Sequence, residues 1–306
     1  MSNVDVSLSS RSFPSLGAIV ELSKPVTWFA PMWAFACGVV SAGQPLADRW
    51  PYFIGGVLLA GPLVCATSQA VNDWYDRHVD ALNEPNRPIP SGRIPGRWGL
   101  YLAIVWTVAS VILAAFLGVW TLAAAIVGLI LAWAYSAPPA RLKLNGWWGN
   151  AACGFSYEGI AWFTGAAVML GTLPSVPIIF AAVFYSIGAH GIMTLNDFKA
   201  IEGDREMGVN SLPVQLGPDR AARLACMVMI GAQLPVIGLL IAMNAYAHAA
   251  VVGSLVAVQG RLMFPLLADP RGRAPWYNAT GTSLYVLGML VTAFAIGAAQ
   301  EGASLG

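Results

Sequence analysis

The stretch Asn72-Asp73-Trp74-Tyr75-Asp76-Arg77-His78-Val79-Asp80 follows at once on an apolar run, Pro51–Val71, long enough to cross a bilayer. Asp73, Asp76 and Asp80 are spaced i, i+3, i+7, so a helix puts all three on one face, and Asn72, four residues before Asp76, joins its edge. Like charges on one stripe repel, and a helix keeps such a stripe where a cation neutralises it. Hard oxygen ligands with no His or Cys cluster point to Mg²⁺, an ion held by one or two carboxylates together with a substrate's phosphates. The plain alternative is a solvated acidic helix end. Two features weigh against it: the cluster closes a membrane-length run, and a second acidic cluster stands downstream at Asn196-Asp197.

The chain around this stretch is that of an all-α integral membrane protein. Of its 306 residues 57% are hydrophobic and 10% charged, against roughly 25% charged in a soluble domain, and the mean hydropathy is +0.65. The uncharged runs divide into nine crossings at about 20 residues each. Pro25–Ala47 and Trp50–Asn72 give one apiece. Trp98–Ala140 gives two, turning at Gly118-Val119-Trp120. Leu144–Asn196, interrupted only by Glu158, gives two, broken near Gly171-Thr172-Leu173-Pro174. Leu224–Gly260 gives two, broken near Met243-Asn244, and Ala274–Gln300 gives the last. The runs are too apolar and unalternating for a transmembrane β-barrel.

With nine crossings and the N-terminus in the cytoplasm, every Lys and Arg but Arg49 falls on the inner side, fifteen of the sixteen: Arg11, Lys24, Arg77, Arg87, Arg93, Arg97, Arg141, Lys143, Lys199, Arg205, Arg220, Arg223, Arg261, Arg271 and Arg273. The expected architecture is therefore a single domain over 1–306, a nine-transmembrane-helix bundle with residues 1–24 as a cytoplasmic N-terminal segment. Within that segment Ser15–Ser23 reads as a short interfacial helix, and no cleavable signal pattern precedes it. Both acidic clusters then face the cytoplasm. A net charge of +1 with no basic tail gives no sign of nucleic-acid binding. Cys37, Cys65, Cys153 and Cys226 are scattered singly and read as packing residues, without zinc or disulfide spacing.

Four further segments supply candidates. After the first cluster, Asn83-Glu84-Pro85-Asn86-Arg87-Pro88-Ile89-Pro90-Ser91-Gly92-Arg93 cannot continue a helix and places Arg87 just beyond the carboxylates, where a doubly charged anion would be met. Tyr135-Ser136-Ala137-Pro138-Pro139-Ala140-Arg141-Leu142-Lys143 brings Arg141 and Lys143 to the same side. Glu158 is the one acid deep in an apolar run, either a site residue or a polar lock between helices, and His190, seven residues before Asp197, is expected to look into the same cavity if the helix continues. The second cluster, Asn196-Asp197-Phe198-Lys199-Ala200-Ile201-Glu202-Gly203-Asp204-Arg205-Glu206, sets Asp197 and Asp204 i, i+7 on one face provided Gly203 does not break the helix, with Lys199 and Arg205 alongside. Two carboxylate clusters on one side of the membrane form facing walls. Between them fits a diphosphate bridged by two or more Mg²⁺, because diphosphate leaves carbon readily only when metals and cations neutralise it.

This pattern resembles the UbiA superfamily of intramembrane prenyltransferases. The family's first motif, N-D-x-x-D-x-x-x-D, is matched in full by Asn72, Asp73, Asp76 and Asp80, and the second more loosely by Asp197 and Asp204, with Ile201 where a further acid would stand. The loop Asn83–Arg93, the Tyr135–Pro139 turn with Arg141-Leu142-Lys143, and Glu202-Gly203-Asp204-Arg205 with Ser211-Leu212-Pro213-Val214 resemble the chlorophyll and bacteriochlorophyll synthase branch. The resemblance implies transfer of a geranylgeranyl or phytyl group from its diphosphate to the propionate of a (bacterio)chlorophyllide, in a bacterial inner membrane, cytoplasmic or intracytoplasmic. It implies metal-binding and catalytic roles for Asp73, Asp76, Asp80, Asp197 and Asp204. It implies substrate binding by Asn72, Arg87, Arg141, Lys143, Asn196, Lys199, Arg205, Glu158 and His190. The isoprenoid diphosphate, the Mg-tetrapyrrole and membrane lipid are the partners it names; photosynthetic assembly partners it leaves open. An acceptor propionate is already an anion at neutral pH, so this chemistry needs no general base, in keeping with the lack of a His–carboxylate pair in either motif. The competing readings are a prenyltransferase acting on an aromatic quinone precursor, a transporter with Asp73 and Asp197 as ion sites, and a pigment-binding factor without catalysis. Transporter sites lie near the bilayer midplane rather than at the inner ends of spans.

Overall fold

The computed structural model describes residues 13–304, so Arg11 lies outside the described residues. In order the helices are α1 (Leu16–Ser23), α2 (Phe29–Ser41), α3 (Leu46–Leu58), α4 (Ala66–Asn83), α5 (Trp98–Leu117), α6 (Val119–Ser136), α7 (Gly146–Gly154), α8 (Ala161–Leu170), α9 (Val176–Asn196), α10 (Ile201–Glu206), α11 (Leu212–Leu216), α12 (Pro218–Ala242), α13 (Tyr246–Ala268) and α14 (Pro270–Ser304). Ser15 caps α1 by accepting from the Ala18 N–H at 3.3 Å, and α1 runs over the stretch expected to be helical at the N-terminus.

Seven helical runs among the described residues are long and apolar enough to cross a membrane, not nine: Leu46–Asn83, Trp98–Leu117, Val119–Ser136, Val176–Glu206, Pro218–Ala242, Tyr246–Ala268 and Pro270–Gly302. The two expected crossings that fall short do so for local reasons. α2 has 13 residues, the residues before it, Pro25–Trp28, taking the tighter 3₁₀ winding. The run Gly146–Leu170 is divided where Phe155–Ile160 takes the wider π winding around Glu158. The same winding at Leu59–Cys65, around Pro62, joins α3 to α4. A proline removes a backbone donor and crowds the preceding turn, and the wider turn absorbs both. The joined run of 38 residues spans about 57 Å at about 1.5 Å per residue, well over the ~30 Å hydrocarbon thickness. Part of it therefore stands clear of that thickness, and its last turns carry the first acidic cluster.

The expected breaks fall at Gly118, Gly171 and Asn244, with φ of 125°, 70° and 58°. One expected loop is absent. Arg261 lies inside α13, which continues to Ala268, so Asp269 alone connects it to α14, and Arg271 and Arg273 belong to the first turn of α14. The helix expected through the second cluster is also broken: Asp197–Ala200 winds as a 3₁₀ turn before α10 begins, and Gly203 is accommodated within α10.

Close approach of small residues sets the packing. A side chain on Gly38 of α2 would overlap the Trp162 carbonyl of α8, and one on Gly165 of α8 would overlap the Phe35 carbonyl of α2. Trp162 stacks on Tyr185 of α9 at 5.6 Å, and the Tyr285 hydroxyl of α14 donates to the Tyr185 carbonyl at 2.6 Å. A short parallel bridge ties the segment before α7 to that after α10, the Gly146 N–H donating to the Asn210 carbonyl at 2.8 Å and the Asn210 N–H to the Leu144 carbonyl at 2.9 Å. That bridge holds the segment carrying Lys143 beside the chain that follows the second acidic cluster.

Candidate active site

Both clusters open into one chamber of about 360 Å³. Asn72, Asp76 and Asp80 line it from α4, Arg87 from the proline-rich loop, Arg141 and Lys143 from the stretch leading into α7, Asn150 from α7 itself, and Asp197 and Asp204 from the opposite wall. Asn72 and Tyr135 also line a second, apolar cavity of about 250 Å³, walled by Leu59, Val64, Ala125, Gly128 and Ile160 among others. A charged chamber and an apolar cavity thus meet across one amide and one phenol ring.

The acids of the first wall are paired. Lys143 Nζ lies 2.5 Å from Asp76, whose other contact is the Asn72 amide, donating at 3.1 Å while the same amide donates to Ser136 Oγ at 3.2 Å. Burial lowers the Lys143 pKa below the usual lysine value, against the pull of Asp76. Arg87 Nη1 meets Asp80 at 2.9 Å and Asp73 at 3.5 Å, and its Nε bonds Glu84. Burial works against the Arg87 charge, but these three acids outweigh it and raise its pKa further. On the second wall Asp197 accepts from the Asn150 amide at 3.1 Å, which also donates to Thr194 Oγ1 at 3.3 Å.

Several expected site residues stand elsewhere. Asp73 is fully buried, is absent from the chamber lining, and takes Lys24 at 2.7 Å. Lys199 is exposed, and Arg205 turns to Glu202 at 3.0 Å, which also takes Arg271 at 2.9 Å. Asn196 accepts from the Asn278 amide at 2.9 Å outside the chamber. His190 does not look into the cavity with Asp197: α7 packs on α9 there, Gly154 against the His190 backbone, and the imidazole lies 5.9 Å from the Trp147 ring. Glu158 is buried in its π turn with Oε2 unpartnered and lines neither cavity. Lys24, Asn150 and Tyr135 are the residues that sequence reasoning passed over as site members. Asn150 had a local signal, an amide within an apolar run.

Among the described residues, no three His, Cys, Asp or Glu side chains gather closely enough to hold an ion by themselves. The donor set nonetheless suits Mg²⁺. The chamber offers five carboxylates, Asp76, Asp80, Glu84, Asp197 and Asp204, and the amides of Asn72, Asn83 and Asn150, with no thiol or imidazole, which is the hard-oxygen chemistry that ion takes together with substrate phosphates.

A family model described as UbiA prenyltransferase matches residues 31–284. The chain is 55% identical to the bacteriochlorophyll synthase 33 kDa chain of Cereibacter sphaeroides, over 96% of this chain and 97% of that one. It is 37% identical to the chloroplastic chlorophyll synthase of Arabidopsis thaliana, over 90% and 73%. Its fold is similar to that of a UbiA homolog from Archaeoglobus fulgidus solved with GPP and Mg²⁺, at a TM-score of 0.69 and 20% identity, covering 92% of this chain and 99% of that one.

Proposed function

The chain belongs to the UbiA prenyltransferase family, and from that premise we propose that the chamber holds a prenyl diphosphate head while the adjoining apolar cavity receives its chain. The protein is a prenyltransferase that esterifies the propionate of bacteriochlorophyllide and releases diphosphate, a reading supported by its likeness to proteins named bacteriochlorophyll synthase. The observation that carries the site assignment is the junction at Asn72 and Tyr135, because a prenyl diphosphate is itself a polyanion joined to a hydrocarbon at one bond. That bond would lie where the two cavities meet.

Asp76, Asp80, Asp197 and Asp204 would hold Mg²⁺. Bound there, the ion would neutralise the diphosphate and make it a leaving group. Arg87, Arg141 and Lys143 add three cations to the same chamber and bind the head directly, as positioned hydrogen-bond donors for the charge that develops on the bridging oxygen. Leu59, Val64, Ala125, Gly128 and Ile160 keep water from the allylic carbon, and the Tyr135 ring faces it. The acceptor carboxylate attacks carbon, forming the ester C–O bond as the C–O bond to diphosphate breaks, and no proton has to be removed. Nine crossings with a cytoplasmic N-terminus, α2 and Gly146–Leu170 being the two shorter ones, put the chamber on the cytoplasmic side. Fifteen of the sixteen Lys and Arg lie on that side in this arrangement.

The test offers labelled geranylgeranyl diphosphate and Mg²⁺ to purified protein with bacteriochlorophyllide, chlorophyllide or 4-hydroxybenzoate in parallel. Labelled ester on bacteriochlorophyllide is expected. Product on 4-hydroxybenzoate with none on bacteriochlorophyllide overturns the assignment. Repeating the assay with phytyl diphosphate ranks the two donors.

A further inference from the structure

Asp73 sits in the middle of the acidic stretch, yet its side chain is 1% exposed and faces away from the chamber that its neighbours line. Its Oδ1 accepts from Lys24 Nζ at 2.7 Å and lies 3.5 Å from Arg87 Nη1, while Oδ2 is buried without a partner. Lys24 reaches it from an unusual backbone. It closes α1 in the left-handed region, φ 44°, which a long side chain seldom adopts. The turn is braced from both sides: the Lys24 N–H donates to the Glu21 carbonyl at 3.2 Å, Thr27 donates to the Lys24 carbonyl through its N–H at 2.9 Å and its hydroxyl at 2.8 Å, and the Trp28 indole donates to the Ser23 carbonyl at 2.9 Å. A strained conformation persists where its surroundings over-determine it, and such sites cluster where a side chain must be held in place.

We propose that Lys24 and Asp73 form a buried clasp that positions Arg87, and that Asp73 is not a metal ligand. The inference rests on the prenyl diphosphate reading of the chamber. Arg87 Nη1 is shared between Asp80, which lines the chamber, and Asp73, which does not. With Lys24 satisfying Asp73, the guanidinium stays on Asp80 and presents to the diphosphate. Without Lys24 the buried carboxylate has one cation left to draw on, and Arg87 is pulled off Asp80 away from the chamber. A charge that is buried and stripped of its partner recruits whatever cation is within reach. Lys24 and Asp73 are thus positioning residues, acting through Arg87.

The test compares Lys24→Met, Asp73→Asn, the double variant and Asp197→Asn. Mn²⁺ is titrated into each protein saturated with an unreactive geranylgeranyl thiodiphosphate and read by EPR, and KM and kcat are measured separately. Asp73→Asn and the double variant are expected to keep Mn²⁺ affinity within about threefold of the unaltered protein, while Asp197→Asn weakens it more than about tenfold. Lys24→Met should raise KM for the prenyl diphosphate about tenfold with kcat nearly unchanged, and adding Asp73→Asn should bring KM back to within about threefold. Lys24→Met leaves a buried charge uncompensated, so if it does not fold, the double variant, which buries neither charge, decides. The clasp is overturned if Asp73→Asn or the double variant loses Mn²⁺ as Asp197→Asn does, or if the double variant binds prenyl diphosphate no better than a folded Lys24→Met. If the unaltered protein binds neither Mn²⁺ nor the thiodiphosphate, the prenyl-transfer reading falls first and this inference with it.

Discussion

Asp76 and Asp80 stand on a continuous α4 with Lys143 and Arg87 against them, whereas Asp197 and Asp204, across the chamber, form no ion pair among the described residues. Of the cations near the second cluster, Arg205 and Arg271 pair with Glu202, and the exposed Lys199 forms no ion pair with either acid. One wall is therefore close to neutral by itself and the other carries carboxylates that no cation pairs directly. The difference assigns different tasks to two clusters of similar composition. A divalent ion gains most where no resident cation competes with it, so on the proposed reading the second wall would recruit the ion. The first wall, with its lysine and arginine, would meet the phosphate oxygens.

Removing the ion should have the largest effect, because both walls act on the substrate through charge. Chelation with EDTA is expected to lower turnover by at least about 10³-fold, in line with the loss of a principal electrostatic stabiliser, and added Mg²⁺ should restore it. Turnover unchanged by chelation would remove the reason for having two acidic walls. The next largest effect separates them. Asp197→Asn is expected to raise the Mg²⁺ concentration for half-maximal rate about tenfold, near 1.4 kcal/mol, and Asp76→Asn by about threefold, since Lys143 already competes for Asp76. An Asp76→Asn effect equal to or above that of Asp197→Asn would reverse the assignment of tasks.

How far this division was legible in the sequence follows the reach of each interaction. The first cluster, its place at the end of a membrane-length run and the cations Arg87, Arg141 and Lys143 were readable, because helical spacing and the ends of apolar runs are local properties. The neutral character of that wall was only half readable. Lys24 lies 49 residues from Asp73 in the chain, and nothing local says that α1 folds back on α4. The second cluster misled in the opposite direction. Lys199 and Arg205 sit beside its acids in sequence, but the 3₁₀ turn at Asp197–Ala200 changes the phase at which side chains leave the axis. The helical count still brings Asp197 and Asp204 to the chamber, whereas Lys199 and Arg205, expected there as their sequence neighbours, do not line it. The helices expected at Pro25–Ala47 and in the first half of Leu144–Asn196 come out shorter than expected through non-α winding inside apolar runs, at Pro25–Trp28 and around Glu158.

The smallest effect sharpens the comparison at the surface of the first wall. Arg93, on the loop that carries Arg87, pairs with Glu21 of α1 at 2.5 Å, and both side chains are near half exposed. This contact ties α1, and so the segment holding Lys24, to the loop holding Arg87; on the second wall the corresponding strap is Arg271 of α14 on Glu202. Hydrogen bonding to Arg93 lowers the Glu21 pKa below its ordinary 4.5. A carboxyl depressed in the folded protein adds stability above its unfolded pKa, and that stability is lost as pH falls through the folded value. An exposed pair of this kind contributes about 0.2–1 kcal/mol at most. Glu21→Gln should therefore lower the unfolding temperature slightly at pH 7, and the gap from the unaltered protein should close below pH 4.5. A gap that persists in acid would mean that Glu21 stabilises α1 by packing, and that the strap between α1 and the loop rests on Lys24 and Asp73 alone.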